Sequence, residues 1–524
     1  MPISGEKFEF NVPERMNLAE IVVDRQAERF PEKTAIVCVG SEKMGIKEEK
    51  VTFKELKDLT NKAANAFINE GMSFDDRVLI VLPDSIDFYI AFYGAIKLGA
   101  VPVPVNTYLF EEDYAYFLED SRAKFAVIYS GFEKALKAAE NSKYLKEVFT
   151  EKDLRELTNK ASSEFEPLKL SKDSMAFWLY SSGTTGKPKG VVHLHHDPIF
   201  VCESYHRRVL GLSSEDVCYS VSKLFFAYGL GSCGYGSLYF GATVVVDPER
   251  PDPERAAEIL EKYGVTALFT VPSFYARLVE IDRDVKHKLR IAVSGGEPLP
   301  EAVWYKFKEK FGVEIVEHIG STEALYAFIG HYPGKVKPGY TGVVMPGWEV
   351  KLVDENGNEI VEDGIPGKLL IKGDSVAAFY WEKHEKTKKA FLGEWYDTGD
   401  TFVKEGEYFK YHGRADDLIK TRGLWVSPVK VENALLKHPA IEECAVVQGF
   451  NEKKLEVVAA YVVLRKGYDE SVVDDVKRFL REQGLKGFEI PEKWVFVREL
   501  PRTATGKIQK YKLRMKEFEE AFGK

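Results

Sequence analysis

One segment constrains this chain more than any other: Tyr180-Ser-Ser-Gly-Thr-Thr-Gly-Lys-Pro-Lys-Gly-Val-Val192, which follows directly on the apolar run Met175 to Leu179. Gly183, Gly186 and Gly190 let the backbone close on a ligand, and Ser181, Ser182, Thr184, Thr185 and Lys189 offer donors to phosphate oxygens. A buried strand feeding such a loop reads as a phosphate cradle rather than a flexible linker. It is not a Walker A loop. Pro188 follows Gly186-Lys187 where a hydroxyl should bind magnesium, and Ser181 stands where the first glycine belongs.

Around that loop, strand and helix signals alternate. Thr52 with Glu55 forms a capping box that opens an amphipathic stretch through Phe67. Arg77 to Pro83 reads as a buried strand, Ser85 to Leu98 as a helix, and Val101 to Val105 and Phe125 to Tyr129 as strands. Thr243 to Val246, Ala267 to Val271 and Arg290 to Val293 repeat the pattern, each leaving into a Gly- or Pro-bearing loop. The expected fold class is α/β, with doubly wound parallel sheets whose strand ends receive ligands. From about 339 to 413 short strands and turns predict a β-rich subdomain, including a hairpin at Asp354 to Asn358 and a strand at Gly367 to Gly373. Beyond Arg414, helices at Pro428 to Lys437 and Ser471 to Gln483 alternate with strands at Cys444 to Val447, Val457 to Val463 and Trp494 to Val497. This predicts a small α+β domain. The expected division is an N-terminal domain over 1–415 and a C-terminal domain over 416–524.

Composition narrows the function classes. At 524 residues, 45% hydrophobic and 13% aromatic, the chain can bury several cores, which excludes a disordered or single-module protein. A formal net charge of −9 with both signs interspersed argues against a broad nucleic-acid surface, so attraction for anionic ligands must come from local loops. Cys38, Cys202, Cys218, Cys233 and Cys444 form no CxxC pair, which points away from a disulfide or zinc framework and toward a reducing cytoplasm. No apolar run approaches the length of a membrane span, and the N-terminus lacks a secretory pattern. Only four glutamines in a chain that is 30% charged lean toward a thermophilic source.

Further motifs follow the loop in order: Ser294-Gly-Gly-Glu-Pro-Leu299, Gly320-Ser-Thr-Glu323, Tyr396-Asp-Thr-Gly-Asp400, Gly413-Arg-Ala-Asp-Asp-Leu-Ile-Lys420 and Arg502-Thr-Ala-Thr-Gly-Lys507. With the loop, this set resembles the adenylate-forming (ANL) superfamily of acyl-CoA ligases, peptide-synthetase adenylation domains and firefly-type luciferases, over nearly the whole chain. The resemblance implies ATP, Mg²⁺ and coenzyme A, and roles for individual residues. Ser181, Ser182, Gly183, Thr184, Thr185 and Lys189 would hold phosphate; Thr322 would donate to the α-phosphate and Glu323 would hold Mg²⁺. Gly295 and Gly296 would lie flat against adenine, bordered by Glu297 and His318. Ile319 stands where many members have tyrosine, which removes an aromatic platform from that face. Asp400 would accept from the ribose hydroxyls, Arg414 would contact ribose or phosphate, and Lys507 would neutralise charge developing between α-phosphate and carboxylate. Asp416 matches the hinge about which the small domain turns, and Gly423 would approach the pantetheine arm.

Leu224-Phe-Phe-Ala-Tyr-Gly-Leu-Gly231 occupies the segment for the acyl pocket and is similar to the benzoate type of aryl-CoA ligase. Phe226, Ala227 and Tyr228 would gate and line a flat slot, with Gly320, Tyr326 and Ala327 completing it. Tyr326 and Ala327 replace the His and Ile of that subgroup, so the far end of the pocket should be reshaped. The reaction implied is carboxylate plus ATP to acyl-adenylate, then transfer to CoA, on benzoate or a related aryl acid. The alternative is a medium or branched aliphatic acid. A remoter alternative comes from Gly229-Leu-Gly-Ser-Cys-Gly234, a literal GxGxxG followed by Asp247, which would suit an NAD-dependent oxidoreductase. No dehydrogenase set accompanies it. A binding protein on a dead adenylating fold is disfavoured by Lys189, Glu323, Asp400 and Lys507. The expected partners are a small carboxylic acid, ATP and CoA, without nucleic acid or membrane span, in a monomer or homodimer.

Overall fold

The computed structural model describes residues 2–181, 187–250, 252–414, 417–421, 424–451, 455–502 and 508–514. The chain divides into two compact units, Met1–Val350 with Ile371–Tyr396, and Lys351–Leu370 with Asp397–Lys524. The strands expected between 339 and 413 are therefore distributed over both.

In the first unit, apolar runs without polar alternation become parallel strands covered on both faces, as such runs must. Arg77–Val81 lies between Val101–Pro104 and Phe125–Ile128, with Glu147–Thr150 at the edge, all parallel. The second sheet runs Val343–Val344, Ala327–Gly330, Ile315–Gly320, Ile291–Ser294, Ala267–Thr270, Val217–Ser220, Thr243–Val246, Thr34–Cys38, Glu49–Thr52. Its central strands are parallel and its edges antiparallel. A third, antiparallel sheet joins Met175–Ser181, Lys189–Leu194 and Phe379–Tyr380.

Local chemistry sets the helices. The helix Phe53–Asn69 starts at the expected capping box, with Thr52 Oγ1 accepting from the Glu55 N–H at 3.1 Å and the Thr52 N–H donating back to Glu55 at 2.7 Å. Ile86–Leu98 is buried almost throughout and ends at Gly99, whose φ of 82° is the left-handed C-cap conformation that glycine adopts without strain. It carries two charges: Asp87 in its first turn pairs with Arg155, and Lys97 in its last turn is buried and paired with Asp24 at 2.6 Å. Among the described residues no helix is long and apolar enough to cross a membrane.

In the second unit the Asp354 turn forms as expected: its Oδ1 accepts from the Asn356 and Asn358 N–H groups, and Val353 pairs with Glu359. Further on, Ile441–Phe450 pairs antiparallel with Glu456–Leu464, which pairs parallel with Lys493–Phe496. The helices Pro428–Leu435 and Val473–Glu482 cover this sheet through Val431, Leu435, Val476 and Leu480. This is the expected α+β architecture.

Candidate active site

The strands that flank the expected phosphate loop, Met175–Ser181 and Lys189–Leu194, pair antiparallel. Ser181 is in register with Lys189, so the chain leaves at one and re-enters at the other. Ser182, Gly183, Thr184 and Thr185, between them, lie outside the described residues. Ser181 Oγ donates to Glu323 Oε1 at 3.1 Å, the Tyr380 hydroxyl donates to the same oxygen at 2.9 Å, and Lys189 Nζ stands 3.6 Å away. Lys189 also lies 3.9 Å over the Tyr380 ring. The phosphate-loop lysine and the expected metal carboxylate therefore meet in one cluster.

Glu323 is fixed from its backbone as well as its side chain. Its carbonyl accepts from the Ala377 N–H at 2.7 Å, and the Ala324 carbonyl accepts from Ser375 Oγ at 2.9 Å. His193 Nε2 meets the Thr322 carbonyl at 2.8 Å while His193 Nδ1 meets Asp197 Oδ2 at 2.8 Å. Both side chains are fully buried. Leu325 closes the loop in the left-handed region, φ 67°, a conformation costly for a branched side chain and held by these bonds. One carboxylate is what Mg²⁺ asks of a protein when nucleotide phosphates and waters complete the octahedron, so Glu323 fits that role. Among the described residues there is no group of three or more His, Cys, Asp or Glu that could hold a metal unaided.

Gly295 and Gly296, expected to border adenine, leave the end of the strand Ile291–Ser294. A Cβ on Gly295 would stand 2.8 Å from His318 Nε2, so the imidazole lies directly against this backbone, and Gly296 has φ 89°. Burial holds His318 down to about 3, a neutral ring, with the Tyr205 hydroxyl 3.3 Å from its Nδ1. Glu297 is half-buried and Gly296 exposed. The far end of that loop is held by Glu317, whose Oε1 accepts from the Leu299 N–H at 2.9 Å. Burial pushes Glu317 up to about 8, so it is a neutral acid at pH 7.

The residues expected to line the acid pocket converge beside it. Phe226, Ala227, Tyr228, Ile319 and Gly320 are partly exposed amid buried neighbours. Tyr228 donates to the Val293 carbonyl at 2.8 Å, which ties its segment to the same strand end that carries Gly295. Tyr326 is buried, stacks on His318 with ring centroids 5.1 Å apart, and shares a 2.8 Å hydrogen bond with Ser232. Ala327 is buried in register with Gly320. Sequence reasoning missed Tyr205 and Tyr380, each from a segment without a motif, missed Ser232 inside the GxGxxG stretch it read as a dinucleotide signal, and missed His193 and Asp197, whose His-x-x-x-Asp spacing was the available signal.

The GxGxxG reading fails on geometry. Gly229 ends a short helix and Gly231 and Gly234 lie within the π-helical stretch Leu230–Gly236, not in a strand-to-helix turn. A Cβ on Gly229 would stand 2.2 Å from the Lys223 carbonyl oxygen, and one on Gly231 would stand 2.3 Å from the Tyr326 ring. These glycines admit neighbouring chain atoms rather than a pyrophosphate. Asp247 is buried and held by Arg255 at 2.7 and 2.8 Å, which leaves it committed to the protein.

Within the second unit, Asp400 and Arg414 face each other across paired strands. Arg414 Nη1 donates to the Thr398 carbonyl at 2.8 Å and to Asp400 Oδ1 at 3.2 Å, and the Tyr411 hydroxyl donates to Asp400 Oδ1 at 3.4 Å. Gly399, φ 70°, makes the turn, and a Cβ there would meet Arg414 Nη2 at 2.7 Å. The Asp400 carboxylate is thus oriented by Arg414 and Tyr411. Asp416, Gly423 and Lys507 lie outside the described residues.

Comparison with known proteins shows the family. Residues 23–381 match the family of AMP-binding enzymes, and residues 430–507 match the AMP-binding enzyme C-terminal domain. The chain is 39% identical to a benzoate–CoA ligase of Thauera aromatica over 96% of each chain. It is 36% identical to a 4-hydroxybenzoate–CoA/benzoate–CoA ligase of Rhodopseudomonas palustris over 89% of each. Among solved structures, a benzoate CoA ligase from Burkholderia xenovorans LB400 superposes with a TM-score of 0.88 at 35% identity, covering 95% of this chain and 100% of that one. The anthranilate CoA ligase AuaEII in complex with anthranoyl-AMP gives a TM-score of 0.89 at 31% identity, covering 96% and 97%. With both family domains matched and such relatives spanning nearly its full length, the chain belongs to the AMP-binding enzymes of the adenylate-forming superfamily.

Proposed function

We propose that this protein is an ATP-dependent, AMP-forming acid–CoA ligase whose acid is benzoate or a substituted benzoate. The observation that carries the reading is the short loop from Gly320 to Ala327. It presents Glu323 to Ser181, Lys189 and Tyr380 on one side and packs Tyr326 among Tyr228 and His318 on the other. Phosphate chemistry and an aromatic wall are thereby three residues apart.

A carboxylate is a poor electrophile; joining it to AMP gives a leaving group, and the CoA thiolate then attacks the carbonyl. In this reading Ser181, Lys189 and the loop between them take the phosphates, Thr322 donates to the α-phosphate, and Glu323 holds Mg²⁺, which supplies charge neutralisation. The neutral His318 and the backbone of Gly295 and Gly296 border adenine, while Asp400, steadied by Arg414, accepts from ribose. Phe226, Ala227, Tyr228, Gly320, Tyr326 and Ala327 enclose the aryl ring. Lys507 carries the adenylation charge, the C-terminal domain over 416–524 turns at Asp416, and Gly423 approaches pantetheine. Five buried cysteines without a disulfide support a cytoplasmic setting, and the scarcity of glutamine supports a thermophilic source.

Acid-dependent ATP–pyrophosphate exchange tests this across benzoate, hydroxybenzoates, aminobenzoates and short aliphatic acids. Exchange with aryl acids is expected. A preference for aliphatic acids would replace the substrate assignment, and no exchange with any acid would remove the function.

A further inference from the structure

Beneath the acid-pocket segment lies a buried charge cluster that the reaction does not use. Lys223 and Asp84 are 6% and 3% exposed, too buried for surface charges without a purpose in the fold. Lys223 Nζ donates to the Asp247 carbonyl at 2.5 Å and to the Glu249 carbonyl, and stands 3.8 Å from Asp84 Oδ2. The other oxygen, Asp84 Oδ1, accepts from the Leu224 N–H at 3.1 Å. The two anchors come from different sheets: Asp84 follows the strand Arg77–Val81, and Asp247 directly follows the strand Thr243–Val246. Both sit at the carboxyl ends of parallel strands, where doubly wound sheets place their ligands.

What the cluster holds is the start of the segment Leu224 to Tyr228. The Lys223 carbonyl accepts from the Phe226 N–H at 3.0 Å, and the Phe226 carbonyl accepts from the Leu230 N–H at 2.8 Å. Gly229 passes so close to the Lys223 carbonyl that no side chain fits there. Phe226, Ala227 and Tyr228 therefore inherit their placement from Lys223 and Leu224. Burial raises the Asp84 carboxyl to about 6, opposed by the nearby Lys223 ammonium and the Leu224 N–H.

We propose that Asp84 and Lys223 form a positioning pair that sets the acid pocket, tying the Leu224–Tyr228 segment to both sheets at once. The inference rests on the assignment of Phe226, Ala227 and Tyr228 to the acid pocket. The pair touches neither nucleotide-side cluster, so its loss should act on the acid and not on ATP.

Pyrophosphate exchange on wild type, Asp84→Asn, Lys223→Met and the double variant, titrating acid and ATP separately, tests this. Each single substitution is expected to raise the KM for the aryl acid by about 10-fold or more, the scale of one disrupted buried polar contact, with the KM for ATP within about 2-fold of wild type. The double variant, which removes both charges together, should raise it by less than the product of the singles. Asp84→Asn is isosteric and keeps an oxygen toward Leu224, so it decides alone should Lys223→Met give no soluble protein. Equal shifts in both KM values, or none in the acid KM, would overturn the positioning role while leaving the ligase reading intact. No exchange by wild type with any aryl acid would overturn both.

Discussion

Tyr326 packs its ring into the space that a side chain at position 231 would need: a Cβ on Gly231 would lie 2.3 Å from Tyr326 Cδ2. Gly231→Ala should therefore displace Tyr326 from Ser232 and His318. The expected result is a stability loss of about 1 to 3 kcal/mol from overpacking and a raised KM for the acid. Thermal melts and exchange kinetics check it; an unchanged melting temperature and acid KM would show that Tyr326 has another accommodation.

Glu323 receives two hydroxyl donors and a lysine on one carboxylate. Glu323→Gln is expected to lower the exchange rate by about 10² to 10³, as loss of a group that orients transition-state charge does. Tyr380→Phe, which deletes one donor and keeps the ring under Lys189, should cost about 10-fold. A Tyr380→Phe rate equal to wild type would mean that the hydroxyl does not orient Glu323 during turnover.

Lys507→Ala should abolish adenylation from acid and ATP yet largely spare thioester formation when acyl-adenylate and CoA are supplied. The two half-reactions measured separately decide it. Parallel loss of both would count against a lysine that serves the first step alone.

The buried Glu317 makes stability pH-dependent with a definite sign. In the unfolded chain the carboxyl ionises near 4.5, whereas in the folded protein it keeps its proton up to about 8. The folded state thus binds a proton that the unfolded state has released, and Glu317's contribution is fully present below pH 4.5 and lost as pH rises toward 8. Glu317→Gln preserves an acceptor for the Leu299 N–H and cannot ionise. Its melting temperature should fall less than that of wild type between pH 5 and 8, and parallel curves for the two proteins would contradict the assignment.

The local code was legible where a few adjacent residues decide the outcome. The capping box at Thr52 and Glu55, the apolar strands at Arg77 and Thr243, the Asp354 turn and the ordered motifs from Ser181 to Asp400 all act through neighbours in sequence, so spacing suffices to read them. The GxGxxG at Gly229 shows the limit of that reading, because the same glycines serve a π-helical stretch that admits Tyr326 and the Lys223 carbonyl. The partners of Glu323 were equally invisible: Tyr380 is 57 positions away and Ser181 is 142. His193 reaches Thr322 across 129 residues, and Asp84 reaches Leu224 across 140. The sequence by itself determined which chemistry the chain carries, since motif residues are chosen for what they contact in the ligand. Only the tertiary structure decided how those residues are aimed, because a buried donor finds its acceptor through sheet order and packing, and neither is written in the spacing of a single segment.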